Sequence, residues 1–266
     1  MKSSGERPLR VLFVGDVVGR AGREALARQL ERVRAVSPPD LVVVNGENAA
    51  GGFGLTEAVF HELLSLGVDV VTLGNHAWDK PEILRFISEA NQLVRPLNFP
   101  DGSPGRGWTI RTVEHHNVAV VNMSGRVFMP APLDCPFRAI EKTLPQLETP
   151  LVIVDFHAEA TAEKKAMGHF LDGRVSAVLG THTHVQTADD QILPGGTAYI
   201  SDVGMTGPFE SVIGMKIEGA TRKMVQGLPG RLETAEGPAQ FNAVMLHLDA
   251  VTGKALTIER LNCPRG

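Results

Sequence analysis

Five short apolar runs in this chain each stop at residues whose side chains carry oxygen or imidazole donors. Val11–Val14 runs into Gly15-Asp16, Leu41–Val44 into Asn45-Gly46-Glu47-Asn48, and Val68–Leu73 into Gly74-Asn75-His76. Further on, Leu151–Phe156 ends at His157, and Val175–Leu179 ends at Gly180-Thr181-His182-Thr183-His184. Carboxylate, amide and imidazole groups without a thiolate are the donor set of divalent ions such as Mn²⁺, Fe²⁺ and Zn²⁺. Taken singly, each end is ambiguous. A Gly-Asp after a strand makes a turn more often than a ligand, and a lone strand-end histidine usually has a local hydrogen-bond partner. His182-x-His184 says more, because alternate residues of an extended chain point the same way. The repetition over five ends is what favours a metal site over satisfied polar groups in loops.

The elements that would position these residues alternate. Val11–Val14, Leu41–Val44 and Val68–Leu73 read as buried strands, since they are continuous and β-branched. Between them, Ala21–Val36 places Leu26, Leu30 and Val33 at helical spacing, and Thr56–Leu66 forms a second helix closed by Gly67. Strand, helix, strand, helix, strand predicts parallel βαβ units, whose ligands gather beyond the carboxyl ends of the strands. The pattern returns with strand Leu151–Phe156, helix Thr161–Leu171 and strand Val175–Leu179. Between the halves, Trp108–Val113 and Val118–Met123 read as a hairpin turning at His115-His116-Asn117. Thr197–Ser201, Asn242–Leu248 and Ala255–Leu261 read as antiparallel strands, and Arg231–Ala239 as an exposed loop. The fold class is α/β with a second, more antiparallel set of strands.

The bulk properties exclude several classes. The chain has 266 residues with net charge −4, 43% hydrophobic and 21% charged, which is ordinary for a globular protein and leaves no bulk nucleic-acid footprint. Two cysteines, Cys135 and Cys263, exclude a disulfide scaffold or a cysteine-rich zinc ribbon and read as free thiols of a reducing compartment. The polar first ten residues carry no signal-peptide core, and no stretch is long enough to span a membrane. A cytoplasmic location follows as the expectation. With no repeat or dividing linker, residues 1–266 are expected to form a single domain; homo-oligomerisation stays open.

Together the strand ends resemble the metallophosphoesterases, or calcineurin-like phosphoesterases. Two departures narrow the resemblance. Position 18 is Val where that family commonly has a histidine, and the bridging acid is Glu47 and not aspartate. Both departures resemble the YmdB-like subgroup, as do GDVVG (Gly15–Gly19), NGEN (Asn45–Asn48), GNHAWD (Gly74–Asp79), THTHVQT (Thr181–Thr187) and SDVGMTGP (Ser201–Pro208). The resemblance implies a four-layer α/β/β/α sandwich of two mixed sheets. It also implies a phosphodiesterase for a small phosphodiester, a cyclic nucleotide and notably a 2′,3′-cyclic one. Two transition-metal ions are implied, and the O/N donor set favours Fe or Mn over Zn. One would be held by Asp16, Glu47 and His184 with Asn48 helping, the other by Glu47, Asn75, His157 and His182, with Glu47 bridging. A hydroxide between the ions would attack. His76 would give the leaving oxygen its proton or steady the phosphate, or alternatively orient a ligand. By resemblance, Thr206 and Gly207 would line the pocket. A non-catalytic nucleotide- or partner-binding module, and a phosphomonoesterase or nuclease of the same fold, are the alternatives. Gly74 and Gly180 read as points of close backbone approach to the ions. Asp79 reads as a helix cap before Pro81. Arg126 reads as either a phosphate contact or a surface cation, and Trp78 and Trp108 as packing residues in preference to base-stacking ones.

Overall fold

A computed structural model describes residues 7–264; the first six residues of the polar N-terminal stretch lie outside it. Its first sheet contains β1 (Leu9–Val14), β2 (Asp16–Val17), β3 (Leu41–Asn45), β4 (Val70–Thr72) and β5 (Leu93–Val94), joined later in the chain by β12 (Met205–Pro208), β13 (Ala239–Leu248) and β14 (Ala255–Cys263). The second holds β6 (Trp108–Val113), β7 (His116–Ser124), β8 (Leu151–His157), β9 (Ala177–Thr181), β10 (Gln191–Ile192) and β11 (Ala198–Ile200). The helices are α1 (Gly19–Val36), α2 (Glu57–Ser65), α3 (Pro136–Thr143), α4 (Thr161–Leu171) and α5 (Ile217–Gln226).

Both sheets are mixed. In the first, β1, β3, β4 and β5 run parallel, while β13 pairs antiparallel with β1, β12 and β14. In the second, the order is β10-β11-β9-β8-β7-β6, with antiparallel pairs at the two edges and parallel pairs between. The period of two along β1 decides the layering. Val11 and Phe13 enter a core shared with Val120 of β7 and Ile153 of β8, which is the space between the sheets. Leu12 and Val14 face the other way, onto Leu26 and Leu30 of α1 and Leu63 of α2. On the far face of the second sheet, Val121 and Val154 pack against Ile140 of α3 and Met167 and Leu171 of α4. Three cores therefore separate four layers, the expected α/β/β/α sandwich.

The differences from the sequence reading have local causes. The hairpin turns at Glu114-His115, with Val113 opposite His116 and Glu114 at φ 54°, so His116 and Asn117 already belong to β7. A two-residue turn fits the twist of the strands better than a three-residue one. Strand β11 is parallel to β9; its antiparallel partner is the two-residue β10. Strand β12 contains Gly207 and Pro208 and shows no apolar period, so only its pairing with β2 and β13 reveals it. Helix α5 is amphipathic, yet Ala220 is its one buried residue among those described and it adds nothing to the three cores, so the sequence reading passed over it. The expected exposed loop Arg231–Ala239 is mostly exposed, yet Thr234 forms a bridge to Met215, Ala235 is buried, and the buried Ala239 already opens β13.

Candidate metal centre

The parallel strands β1, β3 and β4 of one sheet and β8 and β9 of the other end on the same side of the sandwich, and their following residues converge. His157, the last residue of β8, is fully buried. Its Nε2 lies 2.9 Å from Asn75 Oδ1, 3.0 Å from His182 Nδ1 and 3.1 Å from Glu47 Oε1. Its Nδ1 lies 2.9 Å from Thr181 Oγ1 and 3.7 Å from Asp16 Oδ1. One ring nitrogen with at most one proton cannot satisfy three lone-pair groups at once. Such crowding of ligand atoms suits a cation. Glu47, His157 and His182 each bring a ligand atom within 4.8 Å of the others.

Two more oxygens point the same way. Asp16 Oδ1 and Asn48 Oδ1 are buried without a hydrogen-bond partner in the protein. Buried polar atoms are rarely left so, and both flank Glu47 in sequence or space. Asp16 Oδ2 accepts the His182 N–H at 3.2 Å, and Asn48 donates to Gly52 O at 2.9 Å, so each side chain is held with one oxygen to spare. The donor set is oxygen and imidazole throughout, which fits a borderline divalent ion.

The backbone accommodates this crowding at Gly74. A Cβ there would lie 2.3 Å from Glu47 Oε2 and 2.4 Å from His157 Nε2, so only glycine passes. Gly180 has a different reason. Its Cβ would meet Ser201 O at 1.8 Å, a contact with the segment leaving β11 and not with the metal centre. His182 and His184 sit at φ 105° and 67°, beyond the end of β9. The extended-chain argument for His-x-His is therefore replaced by a strained turn, of the kind that persists where surrounding contacts over-determine it. His182 Nε2 pairs with Glu159 Oε2 at 3.0 Å, and His184 Nδ1 lies 2.9 Å from Ile213 O.

Charge is balanced within the cluster. Burial works against the Glu47 carboxylate, but His157 and His76 hold it down at about 2. Burial raises Asp16, partly opposed by His184 and His157. Burial disfavours the His157 cation, yet Glu47, Asp16 and Asp155 push it up to about 9. Burial, then the His157 charge, pulls His182 down to about 3. The protonated His157 thus offsets the acids. A bound cation would take over that task and free the imidazole lone pair.

His76 stands beside the cluster. Its N–H donates to Glu47 Oε2 at 3.0 Å, while its side-chain Nδ1 lies 2.8 Å from Asp79 Oδ2. Asp79 is therefore the partner of His76; Lys80 precedes the 3-10 turn Pro81–Arg85, which corrects the capping expectation. Thr206 is buried in the pairing of β12 with β2 and accepts the Val18 N–H, while Gly207 pairs with Gln240, so neither lines the cleft. Arg126 is exposed. Trp78 packs on Phe99 and Trp108 on the outer core of the second sheet, both as packing residues.

The structure adds residues that the sequence reading left unmarked. Asp155 in β8 accepts from Thr181 Oγ1 at 2.7 Å and from Asn45 Nδ2 at 3.0 Å, and burial pushes it up to about 7. A lone carboxylate inside the apolar LVIVDFH strand was the available signal. Lys164 of α4 and Asp202 form a buried pair behind the histidine turn. Facing the donors lies a cleft of about 860 Å³ lined by Glu47, Asn48, His76, His182 and His184 on one side.

A profile of the family described as YmdB-like protein matches residues 12–261. The chain belongs to the YmdB-like family. It is 48% identical over 255 residues to the 2′,3′-cyclic-nucleotide 2′-phosphodiesterase of Bacillus subtilis (strain 168), covering 95% of this chain and 96% of that one. Two crystal structures superpose with a TM-score of 0.92. One is a hypothetical protein from Thermus thermophilus, 44% identical, with 97% and 100% of the two chains covered. The other is described as a novel phosphatase from Mycoplasma pneumoniae, 36% identical, with 97% and 94% covered. The YmdB-like span includes every strand end from Asp16 to His184 and also α5, so the expected family and its two-sheet fold both hold. Among the described residues no helix is long and apolar enough to cross a membrane.

Proposed function

We propose that this YmdB-like chain is a metal-dependent phosphodiesterase that opens 2′,3′-cyclic nucleotides at the 2′ bond. The observation that carries the reading is the buried meeting of Glu47, His157, His182 and Asn75 beside two unpartnered oxygens, Asp16 Oδ1 and Asn48 Oδ1. The substrate class is drawn from the B. subtilis relative. The single-domain reading of the chain is supported by the two sheets of the described residues, which contribute to one cleft. Asp16, Glu47, Asn48 and His184 would hold one ion and Glu47, Asn75, His157 and His182 a second, with Fe or Mn favoured over Zn. Glu47 suits the shared position because its two oxygens can serve two cations. The ions, when bound, supply charge that polarises the phosphoryl group and makes water a nucleophile near neutral pH.

The protein's own residues do the rest. Water oxygen bonds to phosphorus, the P–O2′ bond breaks, and the departing oxygen needs a proton. His76 is placed to give it. Its Nδ1 is engaged by Asp79, which orients the ring and leaves Nε2 for the leaving oxygen. Asp155, through Thr181, fixes which nitrogen of His157 faces the cluster. Two unpaired cysteines suit a reducing compartment, so we place the enzyme in the cytoplasm. The test offers Mn²⁺- or Fe²⁺-loaded protein 2′,3′-cyclic AMP, 3′,5′-cyclic AMP and 3′-AMP. Formation of the 3′-monophosphate from the 2′,3′-cyclic ester is expected. Turnover of the monoester alone would move the reading to a phosphomonoesterase, and no turnover of any ester would remove it.

A further inference from the structure

We propose that Phe53 and the apolar wall carried by α5 and its flanking loops form the subsite for the nucleobase of the cyclic nucleotide; this rests on the phosphodiesterase reading. The donor cluster occupies one side of the cleft. The opposite side carries Ile213, Met215, Met224, Leu228 and Leu232, with Lys223 of α5 as the cation among them. A volume of about 860 Å³ far exceeds what a phosphate needs and falls in the range of a site for a small organic ligand. Phe53 is the one phenyl ring among the lining residues, and its ring meets His76 edge-on at 5.0 Å and 71°. It therefore lines the cleft directly beside the residue placed at the phosphate end. Met224 and Leu228 remain 76% and 60% exposed, apolar groups facing solvent beside a polar centre. A flat aromatic base, tethered by its ribose to a phosphate at the donors, is the group whose faces match such surfaces. Methionine and leucine side chains adapt to its outline.

The wall is registered to the metal centre and does not merely lie near it. Ile213 O accepts from His184, and Ile213 holds φ 46°, a conformation that a β-branched residue adopts only under constraint. Thr234 bridges Met215, and Lys216 pairs with Glu233 at 2.6 Å, closing the loop back on itself. The distance from phosphate to base is thereby set by the fold.

The experiment compares kcat/KM for 2′,3′-cyclic AMP with that for ribose 2′,3′-cyclic phosphate, which lacks the base. The ratio is measured for the parent, Phe53→Ala and Leu228→Asp. Leu228 is exposed, so its variant folds. Losing a base–aromatic contact is worth roughly 5- to 150-fold by alanine substitution, so the ratio should fall at least about fivefold in Phe53→Ala, and Leu228→Asp, which sets a carboxylate against the base, should lower it as well. A ratio at the parent value in either variant overturns the subsite while leaving the phosphodiesterase reading intact. If the parent hydrolyses neither ester, the functional reading fails, and calorimetry with adenosine 3′-monophosphate and ribose 3-phosphate decides the subsite. A preference for the nucleotide that the variants lose supports it, and no preference in the parent overturns it.

Discussion

Replacing Lys164 with methionine should unsettle both the fold and the turn that carries His182 and His184. Lys164 Nζ lies 2.7 Å from Asp202 Oδ2 and 2.8 Å from Thr181 O, and the two charged side chains are 2% and 1% exposed. Asp202 Oδ2 also accepts the Thr183 N–H at 2.9 Å, and Oδ1 accepts the Gly204 N–H at 2.8 Å. Methionine keeps most of the stem and removes the charge, leaving a buried carboxylate without its cation. Removing one partner of such a pair costs about 3–5 kcal/mol. Asp202 keeps two backbone donors, which places the cost near the lower end, about 3 kcal/mol. With about 2.1 cal/mol/K of unfolding entropy per residue over 266 residues, Tm should fall by about 5 °C. Thermal and urea unfolding of chelator-treated protein measure this without metal. The Thr183 N–H lies between the two histidines, so Mn²⁺ affinity by titration should also fall about 10- to 100-fold. The double variant Lys164→Met/Asp202→Asn removes both charges and should recover part of the stability. A single variant within about 0.5 kcal/mol of the parent, typical of surface changes, or strict additivity in the double variant, would refute the reasoning.

His76→Ala should retain its metal and lose about 10²- to 10⁴-fold in turnover of a poor leaving group, with a smaller loss on an activated aryl ester; metal loss on elemental analysis would remove the proton-donor role. Glu47→Ala should bind neither ion, while Asp16→Ala should keep one, and equal metal content in the two would take Glu47 out of the bridging position. Because His157 is pushed up to about 9 in the folded metal-free protein, its proton competes with the metal. Apparent Mn²⁺ affinity should therefore rise about tenfold per pH unit up to that value, and a flat profile between pH 7 and 9 would contradict it. The same shift has a second sign to check. A histidine raised from 6.5 to about 9 stabilises the fold fully below pH 6.5 and loses that contribution as pH climbs through 9. Chelated protein should accordingly lose urea resistance over that interval, and His157→Gln should not.

The strand ends were legible because each combines two local signals, an apolar β-branched run and a polar residue that ends it. Asp16, Glu47, Asn75, His157, His182 and His184 stand at those ends, and the family resemblance is what sorted them into ligand roles. The βαβ alternation likewise follows from periodicity, and β8, α1 and α4 fall within a few residues of their expected limits. Sequence could not supply what depends on non-local pairing. β12 has no period of its own and exists through β2 and β13. The turn at His182-His184 is set by Asp202 and Lys164, which lie about 20 residues to either side. Asp79 carries the local pattern of a cap, yet its carboxylate finds His76, because the 3-10 turn begins one residue later. Gly180 looks like a site glycine from its neighbours, and only the path of the chain after β11 shows that it admits Ser201 O. The apolar wall over the cleft was the least legible feature, since α5 is mostly exposed and its apolar side faces the cleft and joins none of the three cores. Residue type and spacing determined which chemistry is available; the packing of two sheets and the closing of one loop decided which of those groups meet.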